Sequence, residues 1–279
     1  MSKQSMSKRK MPLTSSQSGH GDEALPDLYR FTVQIVNICF IGSPAAPQDW
    51  ILLDAGMPGS RDDIIDAAEQ RFGSDCKPQH ILMTHGHFDH VGALRELAEH
   101  WDVPIYAHAQ ELPYLRGEAN YPPPDSRADS GLVNRLSPMF PHSSVDVSEW
   151  LQALPEDGSV PGLPEWRTIH TPGHTPGHVS FFRDRDKALL AGDAFVTVRQ
   201  ESLYKVLTQQ CEISGPPRYF TPDWAAAKAS VQRLNELRPE LAITGHGLTV
   251  QGNRLTRGLD DLARNFDRLA VPAQERPVE

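Results

Sequence analysis

Four side chains able to hold a metal crowd into six residues of this chain: His85, His87, Asp89 and His90, within "MTHGHFDHVG" from Met83 to Gly92. They follow directly on the apolar run "QHILMTH", Gln79–His85, which reads as a short buried strand. Imidazoles and carboxylates are costly to bury alone. A strand ending in this way therefore has to open on a site where other elements supply partners. His85 and His87 alternate at the strand exit and so point the same way, while Asp89 and His90 occupy the turn and the start of the next helix. Imidazole nitrogen and carboxylate oxygen are the ligands of open, catalytic zinc sites.

The flanking sequence alternates strand with helix. "LYRFTVQIVNICFIG" (Leu28–Gly42) predicts one or two strands, and "WILLDAG" (Trp50–Gly56) another. "SRDDIIDAAEQRFG" predicts a helix with Ser60 as N-cap, an inner face of Ile64, Ile65 and Ala68, and a stop at Gly73. The helix "HVGALRELAEHW" and the strand "VPIYAH" follow the cluster, giving the order of a layered α/β fold. Later come the short strands "WRTIH", "HVSFFRD", "KALLAGDAF" and "LAITGHG". Two helices are also expected, one from Thr221 as N-cap with Pro222 at its first position, the other over "RLTRGLDDLARNFDRLA". With neither repeats nor a clean linker, one domain is expected over 26–270, flanked by a disordered polar tail (1–25) and a flexible C-terminus (271–279). Residues 117–164 are dense in Pro, Asp and Ser yet carry Tyr121, Phe140 and Trp150, which suggests a lid-like insertion.

Composition narrows the partners. A net charge of −9 over 279 residues argues against a nucleic acid or an anionic membrane. No apolar run is long enough to span a bilayer, and the polar, basic N-terminus lacks the apolar core of a secretory signal. The three scattered cysteines, Cys39, Cys76 and Cys211, form neither a disulfide framework nor a cysteine metal site. A reducing, cytoplasmic location and a small-molecule substrate are the expectation.

One short cluster cannot complete a two-metal site. Three further candidates lie at turns or strand ends: His174 in "HTPGHTPGHVS", Asp193 in "LLAGDAF" and His246 in "ITGHG". His178 repeats the pattern of His174 and is expected to be a packed or hydrogen-bonding residue.

Asp54, "THGHFDH", "PGHTPGH", "GD" and "TGHG", in that order between Trp50 and Gly247, resemble the sequence blocks of the metallo-β-lactamase-fold hydrolase superfamily. The resemblance implies an α/β fold, the four-layer αβ/βα sandwich of two mixed sheets packed face to face with helices outside. It places His85, His87 and His174 on one metal ion, and Asp89, His90 and His246 on a second. Asp193 bridges the two with a water or hydroxide, and Asp54 orients a ligand histidine. The implied cofactors are two divalent metal ions, most simply Zn2+, with Asp89 and Asp193 as catalytic carboxylates. Such a pair lowers the pKa of water toward neutrality and polarises a carbonyl. The implied reaction is hydrolysis of a small ester-type substrate, a thioester or lactone. The motif style is that of hydroxyacylglutathione hydrolases. Val196 stands where lactonases of this type usually carry a tyrosine, and Asp193 where the best-known zinc β-lactamases carry a cysteine. The same resemblance has a second branch, a mononuclear iron oxygenase of the persulfide dioxygenase type.

Overall fold

The computed structural model describes residues 14–123, 145–198 and 211–276. Where the sequence pattern predicts one domain, these residues fall into two compact units. The first lies within Met1–Tyr121 and Ser143–Ala153, the second within Pro122–His142 and Leu154–Glu279.

The first unit is a seven-stranded sheet with helices on it. In chain order it contains β1 (Gly21–Leu25), β2 (Leu28–Val33), β3 (Val36–Ile41), β4 (Ile51–Leu53), α1 (Arg61–Phe72), β5 (Ile81–Leu82), α2 (Leu94–Trp101), β6 (Ile105–Ala107), α3 (Leu112–Leu115) and β7 (Leu151–Ala153). Strands β1 to β4 pair antiparallel as a meander, and β4 to β7 pair parallel. The parallel half needs crossovers, which α1 and α2 provide.

Alternation along β2 and β3 sends Phe31, Val33, Ile38 and Phe40 into one core with Ile64, Ala68 and Phe72 of α1 and Leu94, Leu97 and Trp101 of α2. Trp50 is fully buried at its centre. Its ring stacks on Phe72 with centroids 4.6 Å apart and meets Trp101 edge-on at 5.8 Å. Ser60 occupies the N-cap position of α1, but its side chain makes no cap; it donates to the Met57 carbonyl instead.

Three boundaries differ from the sequence expectation. The polar tail expected through residue 25 contains β1, because Arg30 is buried on β2 and its guanidinium donates to Asp22 on β1, which fixes that strand to the sheet. Polar residues on an edge strand resemble a tail when counted by composition alone. The insertion expected over 117–164 is not wholly irregular, since β7 joins the parallel edge beside β6 and Trp150 donates to Asp102 at 3.0 Å. Its residues Phe140 and His142 lie outside the described residues. Helix α2 begins at Leu94 rather than at His90, and the intervening residues remain in the turn that carries the cluster.

The second unit holds β8 (Trp166–His170), β9 (Val179–Arg183), β10 (Ala188–Leu190), β11 (Val196–Val198), β12 (Cys211–Ser214), α4 (Trp224–Glu236), β13 (Leu241–Ile243), β14 (Val250–Gln251), α5 (Gly252–Arg264) and α6 (Phe266–Leu269). Its mixed sheet runs β14-β13-β10-β9-β8, and β11 pairs with β12 separately. Ala227, Val231 and Leu234 of α4 and Leu255, Leu259 and Leu262 of α5 pack with Phe182, Leu189 and Ala242 of the sheet. Of the alanines of α4, Ala227 is internal, while Ala225 and Ala229 are exposed.

The cap of α4 is Asp223, accepting from the Ala226 amide at 2.9 Å, and not Thr221. A carboxylate one residue after Pro222 does the work there, and Thr221 is used elsewhere. The single C-terminal helix expected is broken at Asn265 into α5 and α6. The end expected to be flexible from residue 271 is held through 276, since Val271 is buried and Arg276 donates to the Val271 and Arg268 carbonyls; residues 277–279 lie outside the described residues. Among the described residues no helix is long and apolar enough to cross a membrane.

Truncating Phe72 to alanine is expected to cost about 3–5 kcal/mol, the usual range for a buried aromatic. Urea unfolding should show a lower midpoint with an unchanged slope.

Candidate metal centre

In the first unit, β5 ends at Leu82 and hands the chain to the cluster. His85 and His90 are completely buried, His87 is 5 % exposed and Asp89 8 %. The ligand atoms of His85 and His87, of His85 and His90, and of Asp89 and His90 each lie within 4.8 Å of one another.

Asp54 organises this arrangement. It sits at the end of β4 with φ +60°, a left-handed conformation that Asp tolerates better than most residues. Its carboxylate accepts from the Thr84 amide at 2.8 Å, from the Thr84 hydroxyl at 2.8 Å and from His90 Nδ1 at 2.9 Å. Since Thr84 donates to Asp54, its oxygen accepts from His85 Nδ1, 3.0 Å away. One buried carboxylate thus occupies Nδ1 of two imidazoles, one directly and one through a hydroxyl, so that Nε2 is the atom each ring could offer a metal.

A second buried acid supports the same loop. Glu111 accepts from the Gly86 amide at 2.9 Å and from the Tyr121 hydroxyl. The ring of Tyr121 stands edge-on to His87 with centroids 4.6 Å apart. Burial, reinforced by the Glu111 charge, raises the Tyr121 phenol well above its ordinary value, so it stays protonated as a donor. Gly86 is required by space: a Cβ there would lie 2.5 Å from the Tyr121 hydroxyl oxygen.

The second unit brings its three candidates together. Asp193 is 1 % exposed, and His174 and His246 are each 2 % exposed. Asp193 Oδ2 lies 3.5 Å from His174 Nε2 and 3.3 Å from His246 Nε2. Both distances exceed the 2.7–2.9 Å typical of a charge-assisted hydrogen bond. They match the donor–donor edge of about 3.3–3.4 Å that tetrahedral coordination at 2.0–2.1 Å produces. Buried imidazoles facing a carboxylate are a donor set that a divalent cation fits.

His174 is oriented by Thr221, whose hydroxyl donates to the Pro217 carbonyl at 2.8 Å and so accepts from His174 Nδ1 at 3.1 Å. The turn holding His174 presses on α4. Gly173 has φ +131°, and a Cβ there would lie 2.4 Å from the Ala227 amide nitrogen.

The orienting residues Thr84, Glu111, Tyr121 and Thr221 escape sequence reading. None lies at a ligand spacing, and only "TH" in "MTHGH" hints at Thr84. Among the other histidines, His80 is buried against Tyr106, and the His108 side chain caps a short turn by accepting from the Gln110 amide. Tyr219 and Phe220 are both buried in the second unit. Arg199, Tyr204 and Lys205 fall outside the described residues.

Residues 32–246 match the family model of the metallo-beta-lactamase superfamily. The chain belongs to that superfamily. Its fold is accordingly the superfamily's α/β sandwich type. Among relatives, it is 50% identical over 264 residues to a probable metallo-hydrolase, YflN, of Bacillus subtilis, covering 95% of this chain and all of that protein. It is 31% identical over 113 residues to the hydroxyacylglutathione hydrolase GloC of Haemophilus influenzae, covering 40% of this chain and 48% of that one. Among solved structures, TTHA1623 in a di-iron-bound form aligns with a TM-score of 0.52 and 28% identity, over 82% of this chain and 92% of that chain. Divalent metals are the cofactors of this superfamily, in keeping with the two donor sets.

Asp54→Asn replaces one acceptor oxygen with an amide and turns a donor toward His90 or Thr84. Affinity for divalent metal is expected to fall by about 10–100-fold, measured by competition with a chromogenic chelator. The melting temperature should shift by only a few degrees.

Proposed function

We propose that this chain is a hydrolase with a dinuclear metal centre, acting on a small ester-type substrate, a thioester or a lactone. The observation that carries the reading is the Asp193 set, in which two buried imidazoles face one carboxylate oxygen at coordination spacing rather than hydrogen-bond spacing. In this reading His85, His87 and His174 serve one ion, Asp89, His90 and His246 the other, and Asp193 both. Superfamily membership supports a metal-dependent hydrolase, and the likeness to a hydroxyacylglutathione hydrolase supports a thioester as the first substrate class to test.

When bound, the ions lower the pKa of water toward neutrality and polarise a carbonyl oxygen. The chain's own residues supply the rest. Asp54, Thr84 and Thr221 keep Nδ1 of His90, His85 and His174 engaged, so that each ring presents Nε2 without reorienting. Burial of the imidazoles excludes bulk water. Asp89 is the most exposed of the seven side chains at 8 %, and in this reading its carboxylate accepts a proton from an incoming nucleophile and returns it to a leaving group.

Elemental analysis of the purified protein should give close to two zinc-type ions per chain, and a panel of thioesters and lactones should then reveal turnover. One iron per chain, with oxygen consumed in the presence of a persulfide, would point to the oxygenase branch instead. His87→Ala should lose most metal from one site and at least about 100-fold in kcat/KM, a loss of ~2.7 kcal/mol in transition-state stabilisation. A His87→Ala protein with full metal and full turnover would sink the assignment. Asp89→Asn should lower kcat far more than it lowers the unfolding midpoint.

A further inference from the structure

His178 follows His174 in "HTPGHTPGH", and the metal reading gives it no ligand role. It is nevertheless completely buried, as are Ser180 and Ala191, while Thr171 and Asp193 are each 1 % exposed. These residues are joined by hydrogen bonds whose directions can be read from both ends. At one end the Asp193 amide donates to His178 Nε2 at 2.9 Å. A backbone N–H can only donate, so Nε2 carries no proton, and in the neutral ring the proton is on Nδ1. At the other end Ser180 Oγ donates to the Ala191 carbonyl at 2.9 Å, and a carbonyl can only accept. Ser180 Oγ then accepts from Thr171 Oγ1 at 3.1 Å, and Thr171 Oγ1 accepts from His178 Nδ1 at 2.8 Å. Both ends require the same tautomer.

We infer that His178 is a positioning residue for Asp193: its Nδ1–H tautomer closes a buried hydrogen-bonded ring through Thr171, Ser180 and the Ala191 carbonyl that fixes the turn presenting the Asp193 carboxylate. The ring begins and ends on one short turn, at the Ala191 carbonyl and the Asp193 amide, with only Gly192 between them. Gly192 has φ +54°, and the turn's own closing bond, from the Ala194 amide to the Ala191 carbonyl, is long at 3.3 Å. Strand β9, which carries Ser180, and the chain leaving β8, which carries Thr171, supply the restraint. Two further backbone bonds hold the turn from β13 and its exit, Ala191 amide to Ile243 carbonyl and Gly245 amide to Gly192 carbonyl, both at 2.8 Å. Neither of those touches Asp193 itself. The His178 bond reaches the Asp193 amide itself and so acts on the backbone that carries the oxygen facing His174 and His246.

The inference rests on Asp193 as a metal ligand, so its test separates the latch from the metal. Three variants are compared in the full-length protein: His178→Gln, whose side-chain carbonyl reaches as far as Nε2 and can still accept from the Asp193 amide; His178→Asn, which is too short to do so; and Thr171→Val, which keeps the shape and removes the hydroxyl. The first readout is amide hydrogen exchange of residues 191–193 in metal-free protein. The second is affinity for Co2+ and the visible absorption of the Co2+-loaded protein.

Wild type and His178→Gln should protect the Asp193 amide and bind Co2+ with similar spectra. His178→Asn should lose that protection and bind about 10–100-fold more weakly with an altered spectrum, and Thr171→Val should fall between. An Asn variant that matches wild type in both readouts overturns the inference, as does a Gln variant that loses as much as Asn. If His178→Asn fails to fold, Thr171→Val carries the same comparison, and full protection with an unchanged spectrum there overturns it. Loss of protection in the Asn variant of a protein that binds no divalent ion would uphold the latch and strike the metal reading alone.

Discussion

The Asp54 carboxylate is the interaction on which the first unit's donor set depends. It is buried, it sits on a left-handed backbone at the end of β4, and it takes hydrogen bonds from an amide, a hydroxyl and an imidazole. A charge in that position is tolerable only because those donors surround it. In return it decides which nitrogen of His85 and His90 is left to bind. Helices α1 and α2 and the aromatic core around Trp50 hold β4 and β5 side by side, so that Asp54 and Thr84 meet at adjacent strand ends.

The same device recurs in the second unit with hydroxyls in place of the carboxylate. Thr221 fixes His174, and Thr171 fixes His178. In each case the hydroxyl's own proton is committed to another acceptor, so the oxygen can only accept from the ring. This economy lets the imidazoles stand at strand ends and turns while their orienting partners are ordinary threonines on neighbouring elements. A threonine hydroxyl can be buried cheaply when both of its roles are filled. A second carboxylate in the same place would add a charge needing its own compensation.

Several boundaries moved for a common reason. Strand β1 reads as tail because its residues are polar, but the buried Arg30 on β2 demands the charge of Asp22. The cap of α4 reads as Thr221, but the His174 ring needs that hydroxyl and Asp223 takes over the cap. Strand β7 reads as part of an irregular insertion, but the open parallel edge of β6 offers it backbone partners. In each case a demand from a residue distant in sequence outweighs the local preference.

The sequence by itself determined the candidate metal-holding side chains, the strand–helix order that puts them at element ends, and the superfamily. These are carried by residue type and short spacing, which survive without coordinates. Only the tertiary structure decided which imidazole nitrogen faces the site and which neutral side chains set it. It also decided that His178 reaches the Asp193 amide and that Glu111 and Tyr121 support Gly86 from 25 and 35 residues away. The physical reason is directional. A hydrogen bond is specified to a few tenths of an ångström and some tens of degrees, and that geometry arises from packing between elements that no local pattern encodes.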